Sequence, residues 1–212
     1  MKLLIFGATG GTGRLVIRQA LDKSFNVTAF VRDPGKVNLS HPLLKIVKGD
    51  VLQQHSIDTA MEGHDAVICC LGAPATKAGL LRSEGTKNII SSMQKFGISR
   101  LICQTSLGYD DSEKVLNYTP FVFRKIIAPF LLKKTFEDHS RQESKIKESD
   151  LNWTIVRPGT MTNSPVTGKY KHGYNYNDST WKVKISRADV AQFMLAQLNN
   201  TGYNKMAVGI SY

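Results

Sequence analysis

The sequence predicts an α/β fold, a doubly wound parallel sheet with helices on both faces. Three observations predict it. Leu3-Leu4-Ile5-Phe6 is a short apolar run that breaks into Gly7-Ala8-Thr9-Gly10-Gly11-Thr12-Gly13 and then into a helical pattern from Arg14 to Leu21. Strand, glycine turn and helix in that order open a Rossmann-type βαβ unit. Strand-like and helix-like stretches then alternate along the chain. One of them, Ala66-Val67-Ile68-Cys69-Cys70-Leu71, is a near-continuous apolar run, as a central parallel strand buried on both faces requires. The 212 residues, 42% of them hydrophobic, suit a single domain over 1–212 with a full core.

The glycine turn carries the first chemical inference. Glycines let the backbone turn sharply and approach a pyrophosphate closely. The helix that follows aims its free N–H groups and positive dipole end at the same anion. Gly7, Ala8, Thr9, Gly10, Gly11, Thr12 and Gly13 are therefore candidate cofactor-binding residues, with Thr9 and Thr12 adding hydroxyls.

The remaining elements follow in order. Asn26–Val31 reads as the second strand and ends in Arg32-Asp33-Pro34. The residue at this tip meets the adenosine ribose, where an acid selects NAD. Arg32 instead offers a guanidinium to a 2′-phosphate, with Lys36 nearby, so NADP(H) is preferred over NAD(H). The alternative is a solvent-exposed Arg32 with Asp33 as the residue that matters. A third strand, 44–47, leads to Gly49-Asp50-Val51, where Asp50 either meets the adenine or caps the next helix and Val51 packs nearby. That helix covers about 53–61. The apolar strand 65–71 ends in Gly72-Ala73-Pro74, at the edge where ligands bind in open sheets. A helix over about 83–96 and a strand over 100–104 deliver Thr105 and Ser106 to the same edge. Ser106 either hydrogen-bonds a carbonyl or nicotinamide amide or caps the departing chain. Residues 107–135 break the rhythm and read as a ligand-side insertion, with a second at 160–182. Aromatic residues of the first insertion pack it down or meet a flat substrate, and a membrane-surface role ranks below both. A helix over about 137–149, a sixth strand 151–157 ending in Pro158-Gly159, a final helix capped by Ser186 with Asp189 three residues on, and an edge strand at 206–210 complete the chain.

Composition excludes several classes. The net charge of +11 is spread evenly, 13 basic against 7 acidic residues in 1–100 and 15 against 10 in 101–212, with no basic tail. A solvated basic surface is preferred to nucleic-acid binding. The longest apolar segment, 120–132, is interrupted by Arg124 and Lys125 and is too short to span a bilayer, so no membrane partner is expected. No metal-ligand spacing occurs. Cys69, Cys70 and Cys103 all fall in apparent strands, and no signal peptide is visible. The expectation is free buried thiols in a reducing cytoplasm.

With these residues in view, the chain resembles the atypical short-chain dehydrogenase/reductase superfamily, in its NmrA-like NAD(P)H-binding branch, and within it the flavin reductases of biliverdin reductase B type. The glycine turn, Val31-Arg32-Asp33, Gly49-Asp50-Val51, Leu71-Gly72, Ser83-Glu84-Gly85, Thr105-Ser106 and Asp138-His139 match in kind and order. So do Thr154-Ile155-Val156-Arg157-Pro158-Gly159, Pro165-Val166-Thr167-Gly168 and Ile185-Ser186-Arg187-Ala188-Asp189-Val190. The resemblance implies that Gly7 to Thr12 hold the pyrophosphate, Arg32 and Lys36 the 2′-phosphate, Asp50 and Val51 the adenine, and Leu71, Gly72 and Ala73 the ribose. It places Ser106 and Pro158 by the nicotinamide, and matches His139 to a histidine near the cofactor.

The departures bear on chemistry. The superfamily's Tyr-x-x-x-Lys pair, in which the tyrosine protonates a carbonyl, is missing: with His139 at the lysine position, the tyrosine position is Thr135, and no tyrosine of the chain satisfies the spacing. A second histidine of the flavin-reductase branch falls near Thr160, which counts against a biliverdin-type substrate. The expected activity is an NADPH-dependent reductase passing hydride to a flat conjugated acceptor such as a flavin or quinone, acting as a monomer or weak homodimer. Ser106 and His139 are its candidate catalytic residues. The alternative for His139 is a surface position beside Asp138 and Glu143. The alternatives for the protein are a dinucleotide-binding redox sensor without turnover, or a non-redox enzyme such as an isomerase on the same fold.

Overall fold

A computed structural model describes residues 1–74 and 79–212. The chain runs β1 (Lys2–Phe6), α1 (Gly11–Asp22), β2 (Asn26–Val31), β3 (Leu44–Lys48), α2 (Gln54–Met61), β4 (Ala66–Cys69), α3 (Leu81–Lys95) and β5 (Arg100–Gln104). It continues through α4 (Lys133–Lys147), β6 (Asn152–Pro158), β7 (Thr160–Thr162), β8 (Lys171–Gly173), β9 (Lys184–Ser186), α5 (Arg187–Ala196) and β10 (Met206–Ser211). The main sheet has eight strands in the order β3-β2-β1-β4-β5-β6-β10-β8, which extends the Rossmann order 3-2-1-4-5-6 by two strands. All pairs are parallel except β10 with β8.

The apolar pattern explains the layers. Every residue of β4 is buried, as are Leu3 to Phe6 of β1, so both faces need cover. One face packs α1 and α5, with Val16, Ile17 and Ala20 meeting Val190 and Met194 in one core. The other carries α2, α3 and α4, with Ile57, Ile89, Met93 and Ile146 in a second core. The chain order reverses between β1 and β4, and the crevice above their carboxyl ends is where open α/β sheets take ligands.

Three features differ from expectation. The last strand is not an edge: β10 pairs parallel with β6 on one side and antiparallel with β8 on the other. The second insertion supplies that edge and also β7, which pairs parallel with β9 just beyond it. The helix expected from about 137 begins four residues earlier, at Lys133. The first insertion is helical, a 3-10 stretch over Asp110–Tyr118 followed by a π-helix over Phe123–Leu131. Pro129 inside that helix has no N–H to donate one turn back. The ladder widens around it, with Leu132 N–H donating to Ile127 O at 3.1 Å.

Candidate functional site

A cleft of about 700 Å³ opens at the carboxyl ends of β1 and β4. Its floor is the glycine turn. Gly7 sits at φ +72°, and a Cβ there would lie 2.2 Å from Cys70 O, so only glycine lets β1 and β4 close at this point. A Cβ on Gly13 would lie 2.3 Å from Gly7 O. That residue therefore serves the seating of α1 on the turn, and it does not line the cleft. Gly10 differs: its φ is an ordinary −72°, and a Cβ would meet only Gly7 O, at 3.2 Å. The first turn of α1 carries no side-chain cap and no acidic residue. Its N–H groups and positive end are left for an anion. An uncapped helix start over a backbone cradle fits a dinucleotide pyrophosphate.

Gly7, Ala8, Thr9, Gly10, Gly11 and Thr12 line the cleft, as do Arg32, Val51, Leu71, Gly72, Ala73, Thr105, Ser106 and His139. Lys36, Asp50 and Pro158 do not. Lys36 points to a separate hollow beside α1 with Arg14 and Arg18, and its Nζ lies 3.7 Å from Asp33. The Asp50 carboxylate turns back to accept Leu52 N–H at 3.0 Å in a local turn, and it does not cap α2, whose N-cap Gln53 has no side-chain hydrogen bond. Pro158 is buried, and its carbonyl accepts Leu107 N–H at 3.0 Å, continuing the β5–β6 ladder past the strand. At the β2 tip the Asp33 carboxylate is engaged by Gly35 N–H at 3.1 Å, which leaves Arg32 as the tip residue facing the cleft.

His139 is not a surface residue; it is buried. Gln142 Nε2 donates to Thr86 Oγ1 at 2.9 Å, which turns its Oε1 toward His139 Nδ1 at 3.0 Å. The proton thus sits on Nδ1, and Nε2 keeps its lone pair. Burial and the nearby Arg82 guanidinium lower its pKa to about 4, against the opposing pull of Gln142, Asp138 and Glu143. The ring is a neutral acceptor at pH 7. Ser106 Oγ donates to Leu107 O at 3.0 Å.

Several cleft residues escape sequence reasoning. Arg187, at the start of α5, lies across the turn: a Cβ on Gly11 would be 2.8 Å from its Cδ. Its guanidinium is held by Met161 O at 3.2 Å and Asn163 Oδ1 at 2.7 Å. The signal was present in Ile185-Ser186-Arg187-Ala188-Asp189, read as a helix cap and as one of the stretches carrying the resemblance, with no role given to Arg187. The cap itself is real, with Asp189 N–H donating to Ser186 Oγ at 3.0 Å, and the Asp189 carboxylate also accepts Thr167 and Gly168 N–H groups, each at 2.8 Å. Arg82 lines the opposite wall, its backbone N–H donating to Asp138 at 3.1 Å and its NH2 to Ala73 O at 3.0 Å.

Behind the cleft wall formed by Thr105 and His139 lies a network that no motif announced. Glu143 accepts from Thr105 Oγ1 at 2.9 Å, Tyr109 Oη at 2.6 Å and both Arg157 Nε and NH2, at 2.8 and 2.5 Å. Arg157 is fully buried and also donates to Asp111 at 2.7 Å. Burial pushes the Glu143 carboxyl up, but the Arg157 pair outweighs it and leaves the group at about 2. Tyr109 stacks on His139, with centroids 6.0 Å apart and planes at 13°. The network thus fixes Thr105 and His139 from behind.

Thr135 and His139, one turn apart on α4, both line the cleft, so the two positions of the missing pair face the same space. Among the described lining residues there is no tyrosine, lysine, aspartate or glutamate, and among the described residues no metal-ligating cluster occurs.

The sheet order, the glycine cradle and the cleft above it define a Rossmann-type dinucleotide-binding fold. The chain belongs to the NAD(P)H-binding family, whose model matches residues 7–201. It is 30% identical to an uncharacterized chloroplastic protein of Arabidopsis thaliana, At2g34460, over 93% of this chain and 71% of the relative. It spans only 32% and 33% of two longer relatives. Among solved structures, the anaerobillin reductase ChuY of Escherichia coli O157:H7 superimposes with a TM-score of 0.79 at 23% identity, over 100% of this chain and 97% of that one. A short-chain dehydrogenase/reductase of Veillonella parvula in complex with NADP does so at 0.78 and 16% identity, over 100% and 94%. At these identities the structural likeness is one of fold. No helix among the described residues is long and apolar enough to cross a membrane.

Proposed function

We propose that this protein is an NADPH-dependent reductase that passes hydride to a flat conjugated acceptor such as a flavin or quinone. The observation that carries this reading is the acceptor side of the cleft. Its described lining holds no tyrosine, lysine or carboxylate, and its one histidine is neutral and already protonated on the buried nitrogen. Bound NADPH supplies the hydride. The chain's own groups position the reactants, and they do not deliver a proton. That suits an acceptor whose reduced form is a stabilised anion that takes its proton from water.

Gly7 to Thr12 and the α1 N-terminus hold the pyrophosphate, with Arg187 across the turn. Arg32 takes the 2′-phosphate, which favours NADPH over NADH, because the Asp33 carboxylate is engaged elsewhere. Thr105 and Ser106 border the nicotinamide, and His139 Nε2 accepts a hydrogen bond from the carboxamide or the acceptor. The three free buried cysteines fit a reducing compartment such as the cytoplasm, and the protein acts as a monomer or weak homodimer.

The absence of an acid equally suits a dinucleotide sensor without turnover. Purified protein is mixed with NADPH or NADH and a panel of flavins and quinones, and absorbance of the reduced nicotinamide is followed. Turnover with NADPH is expected, and Arg32→Asp raises the KM for NADPH about tenfold or more while leaving NADH little changed. Tight dinucleotide binding with no turnover above a heat-treated control assigns the protein to the sensor class instead.

A further inference from the structure

The π-helix of the first insertion is inside out for a helix packed on a globular core. Of its nine residues only Ala128 is buried. Phe121 is 67% exposed, Val122 55%, Ile126 52%, Phe130 79% and Leu131 58%. These five are nearly half of the eleven large hydrophobic residues exposed among the described residues, and they fall within eleven positions of sequence. Their spacing, 122 to 126 to 130 and 121 to 126 to 131, matches the wide turn of this helix, so they form one stripe. The inner side is not sealed either: a cavity of about 660 Å³ lies between the helix and α4. Contiguous apolar surface of this kind marks an interaction site.

Charge says what covers it. No acidic residue occurs between Glu113 and Glu137, while the exposed Lys125, Lys133 and Lys134 flank the stripe; Arg124 turns inward to Asn117. A second copy docked on this face would bring six lysines together, which disfavours a homodimer through it. Single large side chains projecting from a convex helix, ringed by lysines, match an interfacial helix with its apolar face among acyl chains and its cations at the headgroups.

We infer that the segment Thr119 to Lys134 is a peripheral docking element for an anionic lipid surface. This reverses the ranking of a membrane-surface role below a packed insertion. The contact is tangential, not spanning. Two attractions act together, as stable peripheral binding requires: apolar insertion and attraction to anionic headgroups. Because α4 starts at Lys133 and carries Thr135 and His139 into the cleft, docking holds the cleft beside the bilayer.

The test is sedimentation of the full chain with vesicles of phosphatidylcholine alone or mixed with phosphatidylglycerol at about three to one. The protein is expected to pellet with the mixed vesicles only, and to be released by high salt. Lys133→Ser with Lys134→Ser should weaken binding about 25-fold, at about fivefold per cation. Phe121→Ser with Phe130→Ser should weaken it at least about tenfold while leaving dinucleotide binding intact, since both side chains are exposed. Retention in the supernatant with both vesicle types overturns the inference. So does undiminished binding of the phenylalanine variant, which would reduce the effect to the basic surface at large. A concentration-dependent dimer that Phe130→Ser abolishes, without vesicle binding, assigns the face to a second copy and overturns it as well.

Discussion

On the dinucleotide side of the cleft the backbone does the recognising, while on the acceptor side side chains from separate segments are tied together behind the wall. The glycine turn is local in sequence: seven consecutive residues make the cradle, and its constraints are steric, Cβ positions 2.2 and 2.3 Å from carbonyl oxygens at Gly7 and Gly13. The acceptor side is assembled from Thr105, Tyr109, His139, Glu143 and Arg157, drawn from the turn after β5, the first insertion, α4 and β6. A backbone cradle serves any ligand with the right phosphates. A buried ionic network is specific to its surroundings, and removing one member leaves a charge in a dry place. The cradle is therefore expected to carry affinity, and the network to carry stability and the shape of the acceptor wall.

The largest effect is expected where that division is attacked from the network side. Arg157→Met strands the Glu143 carboxylate, with Lys147 at 3.0 Å as its remaining cationic partner. It should cost about 3–5 kcal/mol, read as a lower urea midpoint at neutral pH. Adding Glu143→Leu should recover much of the loss, because a pair replaced by apolar groups no longer buries a charge. A single variant that unfolds at the wild-type midpoint would show that the pair is not structural.

Next comes the cradle. Gly10→Val puts its Cβ 3.2 Å from Gly7 O at the N-cap of α1, a small cost in stability, while a phosphate no longer reaches the turn. Dinucleotide affinity should fall at least about a hundredfold, about 2.7 kcal/mol, with the urea midpoint lowered by the equivalent of only about 1 kcal/mol. Loss of stability without loss of affinity would invert the division between the two sides.

The same contrast explains what was legible in the sequence. The turn, the apolar β4 and the periodic helices announce themselves because their causes are local. Arg32 was legible as the residue after a strand, and Asp33 and Asp50 became clear only once their carboxylates were seen engaged by nearby N–H groups. Lys36 lies close to Arg32 in sequence, yet its side chain follows Asp33 to the other side of the tip. Glu143 stands among Arg141, Gln142, Ser144 and Lys145, the composition of a solvated helix face. Its burial is decided by Arg157 on a different strand, which no spacing rule connects to it. The order of β10 and β8 is hidden for the same reason, since the antiparallel pairing of Gly209 with Gly173 is set by the packing of the second insertion.

The smallest expected effect lies where the two sides meet, at His139. Its pKa is lowered from 6.5 to about 4. A folded-state value below the unfolded one favours the folded chain above the unfolded value, and this contribution is lost as pH falls toward 4. Glu143, held at about 2 against 4.5, adds a loss only at lower pH, between those two values. Between pH 5.5 and 7.5, roughly the interval in which an ordinary histidine titrates, turnover with NADPH should therefore change less than about twofold. His139→Gln should keep that flat profile, lower turnover only a few-fold, and remove the stability loss between 6.5 and 4. An inflection near 6.5 in the wild type that vanishes in His139→Gln would mean that the imidazole does carry a proton to the acceptor, and the acceptor side would then be chemical rather than structural.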